Sequence, residues 1–227
     1  MQRRSDATTL SVQTIQRLPY YLDYLRKLEA EGCTVVSAPT VAAHFKYGEI
    51  QVRKDFAAVC SSSGRPRQGF DVKTLISDIE SVLGYNNSTD AVLVGAGSLG
   101  HALLSYEGFR DYGLNIVAAF DVAESVVGTK IKNIPVFHSD EIVKLCKRMN
   151  IHIGIITVPA AAAQSVCNLL IEGGVRAIWN FSPVHLNVPE GILIQNENMA
   201  ASLAVLSRAL REVLERESSV ASVDDDK

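Results

Sequence analysis

No stretch of the 227-residue chain comes near the ~18 consecutive apolar residues that span a bilayer, although 47% of its residues are hydrophobic. A membrane-spanning helix is not expected, and the apolar content is free to build a core of one or two domains. Cysteine is sparse. The four, Cys33, Cys60, Cys146 and Cys167, are scattered and never form C-x-x-C, which argues against a disulfide scaffold or a cysteine-based zinc site. The five histidines (His44, His101, His138, His152, His185) form neither H-x-x-x-H nor H-E-x-x-H, and no G-x-S-x-G elbow is present. His152 lies in an apolar run and reads as a packed core residue, while His101 can point to solvent. The opening residues MQRRSDATTL carry no apolar segment of the secretory type, so a reducing cytoplasm is the expected compartment.

Charge of one sign is also scarce overall, with a net of −3, but it is unevenly spread. Residues 1–84 hold 11 Lys/Arg against 9 Asp/Glu, and residues 85–227 hold 11 against 16. Within 44–73, Lys46, Arg53, Lys54, Arg65, Arg67 and Lys73 outnumber Glu49, Asp55 and Asp71. A small basic patch beside an acidic bulk suits a polyanion partner for the first part alone; ordinary surface charge is the alternative.

The periodicity changes at Gly84-Tyr85-Asn86-Asn87-Ser88, a turn-rich break that marks the expected domain boundary. Before it the pattern is helical. Ile15, Leu18, Leu22, Leu25 and Leu28 share one helix face. Pro39 opens a short helix through Phe45, Tyr47-Gly48 is a turn, and Glu49–Val59 is a further helix. Ser61–Gly69 reads as a loop or β-ribbon. Asp71 can cap a helix bearing Val72, Leu75, Ile76, Ile79 and Leu83, closed by Gly84. After the break, Ala91–Val94, Ile116–Phe120, Ile134–Phe137, Ile151–Val158, Val175–Trp179 and Ile192–Ile194 are short Val/Ile-rich runs. Segments of helical period separate most of them, and Ser139 can cap one. The alternation implies a parallel sheet covered by helices, an α/β doubly wound fold. Met199, Leu203, Leu206, Leu210 and Leu214 stripe a last helix over 199–217, and the polar residues 218–227 are expected to be disordered.

The strongest chemical signal is Val94-Gly95-Ala96-Gly97-Ser98-Leu99-Gly100, where a strand runs through G-x-G-x-x-G into a helix. Gly95 permits the tight turn, Gly97 lets a pyrophosphate reach the backbone, and Gly100 lets helix and strand pack closely. The helix N-terminus then offers unpaired N–H groups to the phosphates. Asp121 follows at the end of the second strand, 26 positions after Gly95. A carboxylate there accepts ribose hydroxyls and repels a 2′-phosphate, which selects NAD(H); Lys130 and Lys132 downstream can soften that selection. Thr157-Val158-Pro159 and Asn180-Phe181-Ser182-Pro183 follow later strands and can face the cofactor. Their apolar wall favours the neutral ring of NADH over the cationic ring of NAD+. Only a helix and a tail follow the last strand, leaving no room for a dehydrogenase's substrate domain, so no catalytic residue is assigned.

In the first part, Val41–Phe45, Tyr47-Gly48 and Ile50–Val59 have helix–turn–helix spacing. The second helix carries Gln51, Arg53 and Lys54: glutamine can pair with adenine, arginine with guanine, and lysine with phosphate. Arg65-Pro66-Arg67 has the composition of a basic wing. A helical dimerisation domain with a solvated charged face has the same spacing.

Taken together, Arg17-Leu18-Pro19-Tyr20-Tyr21-Leu22, Gln51-Val52-Arg53-Lys54-Asp55-Phe56, Gly69-Phe70-Asp71-Val72, the glycine loop, Ala119-Phe120-Asp121, Thr157-Val158-Pro159 and Asn180-Phe181-Ser182-Pro183 resemble the redox-sensing transcriptional repressors of the Rex family, in order over roughly residues 14–212. The resemblance implies a winged-helix DNA-binding domain (1–84), a Rossmann NAD(H) domain (85–197) and a C-terminal helix (198–217) swapped between the two subunits of a homodimer. It implies a repressor that binds an inverted-repeat operator and releases it when NADH rises. By position it places Gln51, Arg53 and Lys54 on the recognition helix, Arg65 and Arg67 on the wing, and Gly95, Gly97, Gly100 and Asp121 on the cofactor. Tyr106 falls near the nicotinamide and the subunit contact. Ala57-Ala58-Val59-Cys60, Arg65-Pro66-Arg67-Gln68-Gly69, Asn196-Glu197-Asn198 and Asp23 depart from the family pattern. Other readings of the same residues are a small NAD-dependent oxidoreductase, a CoA-binding module, and a DNA-binding protein with a structural nucleotide.

Overall fold

The computed structural model describes residues 10–60, 69–86 and 89–224, with side chains through Arg216. The chain divides into two compact units. One takes the chain up to Ser88 together with Asp111–Gly113; the other takes Thr89–Arg110 and everything from Leu114.

In the first unit, α1 (Val12–Ala30) begins where Ser11 Oγ accepts the Thr14 N–H at 3.1 Å. Its buried face is Thr14, Leu18, Tyr21, Leu22 and Leu25. Ile15, expected on that face, is 43% exposed and Thr14 takes its place, because a buried carboxylate on another helix needs the Thr14 hydroxyl. A short β1 (Val35–Val36) leads through the Ser37 cap into α2 (Ala38–Phe45), which ends at Lys46 in the left-handed region. Tyr47-Gly48 turns the chain into α3 (Glu49–Val59). Strand β2 (Phe70–Asp71) pairs antiparallel with β1, Val36 opposite Phe70, and α4 (Val72–Leu83) follows. Asp71 Oδ1 accepts from the Thr74 N–H at 2.8 Å, and Gly84 closes the helix. The core is Leu18, Tyr21, Leu22, Leu25, Val52, Phe56, Val72, Leu75 and Ile79, with Tyr21 edge-on to Phe56. The four helices α1–α4 and a two-stranded ribbon, with α2 and α3 joined by a tight turn, make a winged helix–turn–helix unit.

The second unit is a seven-stranded sheet in the order β5-β6-β4-β3-β7-β8-β9. Its strands are β3 (Thr89–Val94), β4 (Leu114–Asp121), β5 (Lys130–Ile131), β6 (Ile134–His138), β7 (Ile153–Ile156), β8 (Ala177–Asn180) and β9 (Leu193–Asn196). All pairings are parallel except β5 with β6. Its helices are α5 (Ser98–Ser105), α6 (Ile142–Met149), α7 (Ala160–Glu172) and α8 (Met199–Asp224). α6 and α7 cover one face, over Val92, Val94, Ile156 and Ile178. α5 covers part of the other, over Leu93, Ile116, Ala119 and Ile155. From β3 the chain winds first toward β4 and β6, then crosses to β7 and β8. The switch point of this Rossmann-type sheet therefore lies at the carboxyl end of β3.

Several local expectations are corrected. The segment after β4 folds back as a hairpin, β5 to β6, because Lys132 and Asn133 both adopt positive φ (47° and 69°), the two-residue turn that matches strand twist. Ser139 does not cap a helix; His138 Nδ1 accepts the Asp140 N–H at 3.3 Å and Ser139 starts a 3-10 turn. His152 precedes β7 and is exposed, so it is not a core residue. α8 continues to Asp224 instead of ending at Glu217, and residues 218–224 are helical. Among the described residues no helix is long and apolar enough to cross a membrane.

Candidate functional site

Three glycines build the loop at the switch point, each for a separate reason. Gly95 has φ +103°, and a Cβ there would lie 2.9 Å from the Thr157 carbonyl carbon. At Gly100 a Cβ would lie 1.8 Å from Gly95 O, so no side chain fits between helix and turn. At Gly97 a Cβ would meet nothing within 4 Å. That space opens over the start of α5, whose cap residue Gly97 supplies no side-chain hydrogen bond. The first N–H groups of α5 thus face open space with the positive end of the helix dipole. Ala96 is buried, Ser98 exposed and Leu99 partly buried around the same turn.

Asp121, at the tip of β4, clamps this loop. Its Oδ2 accepts the Ala96 N–H at 2.6 Å, and its Oδ1 accepts from Val122 and Ala123 at 2.8 and 2.9 Å. Thr157, just past β7, donates its hydroxyl to Gly95 O at 2.7 Å and to Val94 O at 3.0 Å. Ser182 donates to Val158 O at 2.5 Å, which holds the Val158-Pro159 loop. Gly95, Ala96, Gly97, Ser98, Leu99, Gly100, Asp121, Thr157, Val158 and Pro159 therefore meet at one place, the carboxyl ends of β3, β4 and β7. The residue types suit a dinucleotide: backbone N–H groups for pyrophosphate, a carboxylate for ribose hydroxyls, and an apolar wall for a ring.

Three predicted residues are not part of that cluster. Asn180 is fully buried. Its Nδ2 donates to Val184 O at 2.9 Å, Ser182 O at 3.3 Å and Asn196 Oδ1 at 2.8 Å, and its Oδ1 accepts from Ser182 N at 3.0 Å. Through these bonds it braces the loop at the end of β8. Tyr106 is the C-cap of α5, at the end remote from the glycine turn, half-exposed and edge-on to Phe109. Lys130 is exposed on β5. Thr157 and Ser182 stand in segments that the sequence singles out, but only the fold shows that their hydroxyls brace the loop.

In the first unit, Gln51, Arg53 and Lys54 all lie exposed on α3, opposite the buried Val52, Asp55, Phe56 and Val59. Arg53 pairs with Glu49 one turn back. Arg65 and Arg67 lie outside the described residues. Sequence reasoning missed the knot under α3. The Asp55 carboxylate, 3% exposed, accepts from Arg17 Nε and Nη2 (both 2.8 Å), Tyr21 Oη (2.9 Å) and Thr14 Oγ1 (3.1 Å). Burial, and then the bond to Asp55, push the Tyr21 phenol well above its usual range; the Arg17 guanidinium is raised by its bond to the same carboxylate. Burial raises the Cys60 thiol to about 11, with Asp78 adding to it, so Cys60 carries no thiolate at neutral pH.

Residues 9–57 match the family described as "Putative DNA-binding protein N-terminus", and residues 86–184 match the family described as "CoA binding domain". A redox-sensing transcriptional repressor Rex from Bacteroides fragilis is 41% identical over 208 residues, 92% of this chain and 94% of the relative. This chain belongs to the Rex family. A Rex from Porphyromonas gingivalis is 42% identical over 204 residues, 90% of this chain and 93% of its own. The Rex-family repressor RSP in complex with β-NAD+ and operator DNA superposes with a TM-score of 0.85 at 29% identity, covering 93% of this chain and 97% of RSP. RSP in complex with β-NADH gives 0.82 at 28% identity, covering 93% and 99%. Rex proteins are redox-sensing transcriptional repressors, and the two units found here, helix–turn–helix and Rossmann sheet, are what such a repressor requires.

Proposed function

We propose that this chain represses transcription by binding an inverted-repeat operator as a homodimer, and that NADH, competing with NAD+, releases the DNA. The observation that carries the reading is the glycine turn with Asp121 clamped to it, on the same chain as an exposed recognition helix. Domain limits are proposed as 1–84 for DNA binding, 85–197 for the nucleotide and 198–217 for subunit exchange. The open space at Gly97 takes the pyrophosphate against the start of α5. Asp121 has lone pairs left for ribose hydroxyls, and Thr157, Val158 and Pro159 form the wall for the nicotinamide. Lys130 reaches the adenosine side and Tyr106 the nicotinamide side in the assembled dimer. Gln51, Arg53, Lys54, Arg65 and Arg67 contact DNA.

Dimer formation has its own support. On the part of the α5 face of the sheet that α5 leaves uncovered, a groove of about 440 Å³ is lined by Leu114, Ile153, Ala177, Trp179, Leu193 and Gln195. α8 exposes Met199, Leu203, Val205, Leu206 and Leu210, each more than half accessible. An apolar stripe and an apolar groove of this kind fit each other across a two-fold axis. The dimer then sets its recognition helices about 34 Å apart, one turn of duplex. NADH acts only through its different affinity for the DNA-bound and free forms; moving from 1:99 to 99:1 takes about 5.5 kcal/mol. Operator DNA must weaken NADH by the same factor. The protein works in the cytoplasm as a ligand-gated binder, without turning NADH over.

The match to a CoA binding domain favours one other ligand. Asp121 argues against it: the ribose of CoA carries a phosphate, which the carboxylate repels. The test is operator binding by mobility shift across NADH:NAD+ ratios, with NADPH and CoA in parallel. Release by NADH alone is expected. Equal DNA affinity with NADH, NAD+ and no ligand sinks the sensor, and release by CoA selects the other ligand.

A further inference from the structure

A carboxylate stands at the head of α3, the end of a recognition helix that meets base edges. It belongs to Glu49, the first residue of the helix, and Gly48 before it supplies no side-chain cap. The positive end of the helix dipole suits an acid there, but a duplex does not, because its phosphates repel a carboxylate. Arg53, one turn on, resolves the conflict: its Nη2 donates to Glu49 Oε1. A glutamate four residues before its cation is the favourable order for such a pair. The Arg53 and Glu49 side chains are 65% and 48% exposed, off the face that buries Val52, Asp55, Phe56 and Val59, so a duplex can reach both.

We infer that Glu49 is a positioning residue for DNA recognition, committing Arg53 to guanine and keeping it off the phosphates. This rests on the DNA-binding reading above and adds a residue to its specificity. A guanidinium presents its donors as forks. Nη2 carries two N–H groups, one parallel to the Nε–H and the other to an N–H of Nη1. Whichever of the two Glu49 takes, the other remains, so one complete fork stays open. That fork matches O6 and N7 of guanine, which accept from it together. Charge works the same way. The paired side chains sum to zero, so Arg53 gains little from a phosphate, which any duplex offers, and gains most where directed bonds are made. An arginine without Glu49 would take base or phosphate alike. A pair this exposed adds little to stability, so its effect falls on the choice of site and not on the fold.

The experiment is selection of binding sites from a random duplex library by the full-length protein, with Arg53→Ala and Glu49→Ala beside wild type and each checked by thermal melting. Neither side chain belongs to the core, so both variants are expected to fold. Wild type selecting no sequence overturns this inference and the repressor reading together. Where an operator is selected, Arg53→Ala is expected to erase a guanine preference and to weaken binding roughly 5- to 150-fold per half-site. A uniform loss across sequences, with the salt slope reduced by about 1, would put Arg53 on a phosphate; that overturns the inference and leaves the repressor reading standing. Glu49→Ala is expected to weaken the same guanine preference about fivefold or more, and to steepen the slope of log affinity against log salt by about 0.9 for each phosphate gained. The guanine preference decides. Tighter binding to every duplex with that preference intact makes Glu49 a bulk charge and overturns the inference. Loss of a cytosine preference at a separate base pair means that Glu49 touches a base itself, which overturns it too, as does an unchanged selection by either variant.

Discussion

In the first unit a carboxylate, Asp55, lies within the core and is met by a guanidinium, a phenol and a hydroxyl. In the second, the buried polar side chains among the described residues are the neutral Asn180 and Ser182, which brace a loop at the strand ends. The difference follows from what each unit must hold. A parallel sheet satisfies its own backbone, and its faces need only apolar cover, so polarity is confined to the rim where the ligand loops are. A small helical unit must fix the angle of α3 against α1 with few core residues. A buried ion pair contributes little net stability, but it accepts one arrangement of its partners.

The contrast can be broken by removing one partner from each arrangement. Arg17→Ala strands the Asp55 charge in the core and should cost about 3–5 kcal/mol of unfolding free energy in urea titration. A cost near zero would show the pair to be incidental. Asn180→Ala removes a neutral brace and should cost less, about 1–3 kcal/mol, because it leaves only uncharged groups unpaired. Weaker NADH binding is expected with it, through loosening of the loop between Asn180 and Val184 and not through lost contact. If NADH affinity instead falls with no change in stability, Asn180 touches the ligand after all.

The smallest effect sharpens the comparison on the surface of the first unit. Thr74, by its N–H and its hydroxyl, holds the Asp71 carboxyl below its ordinary value. A depressed folded value means stability that is present above the unfolded value, about 3.9, and is lost as pH falls through the folded one. Wild type should therefore exceed Asp71→Ala in melting temperature near neutrality, and the gap should shrink below about pH 4. A gap independent of pH would mean that the cap acts without its charge.

Much of this organisation is legible in the chain. The bounds of α3, Glu49–Val59, follow from periodicity, and those of α4 from the Asp71 cap and Gly84. The positions of β3, β4, β6, β7, β8 and β9 follow from the Val/Ile runs, and the glycine turn from its spacing. Less legible was the hairpin at Lys132-Asn133, since two residues in positive φ leave no hydrophobic pattern. His152 was misread because an apolar run does not say where its strand begins. Asn180 was placed at the right strand end, yet its depth cannot be judged from sequence, because a loop that turns inward looks like one that turns out.

The chain by itself determines most of the helices and strands, and the glycine spacing of the turn after β3, because those properties depend on neighbours within a few residues. It also shows that a helix carrying Gln51, Arg53 and Lys54 precedes the sheet. Only the tertiary structure decides that Asp55 is buried and paired, and that Asp121 clamps the Ala96 N–H. Those are contacts between residues 25 to 41 positions apart, or joined through a shared partner, and their strength comes from the exclusion of water, which no local pattern encodes.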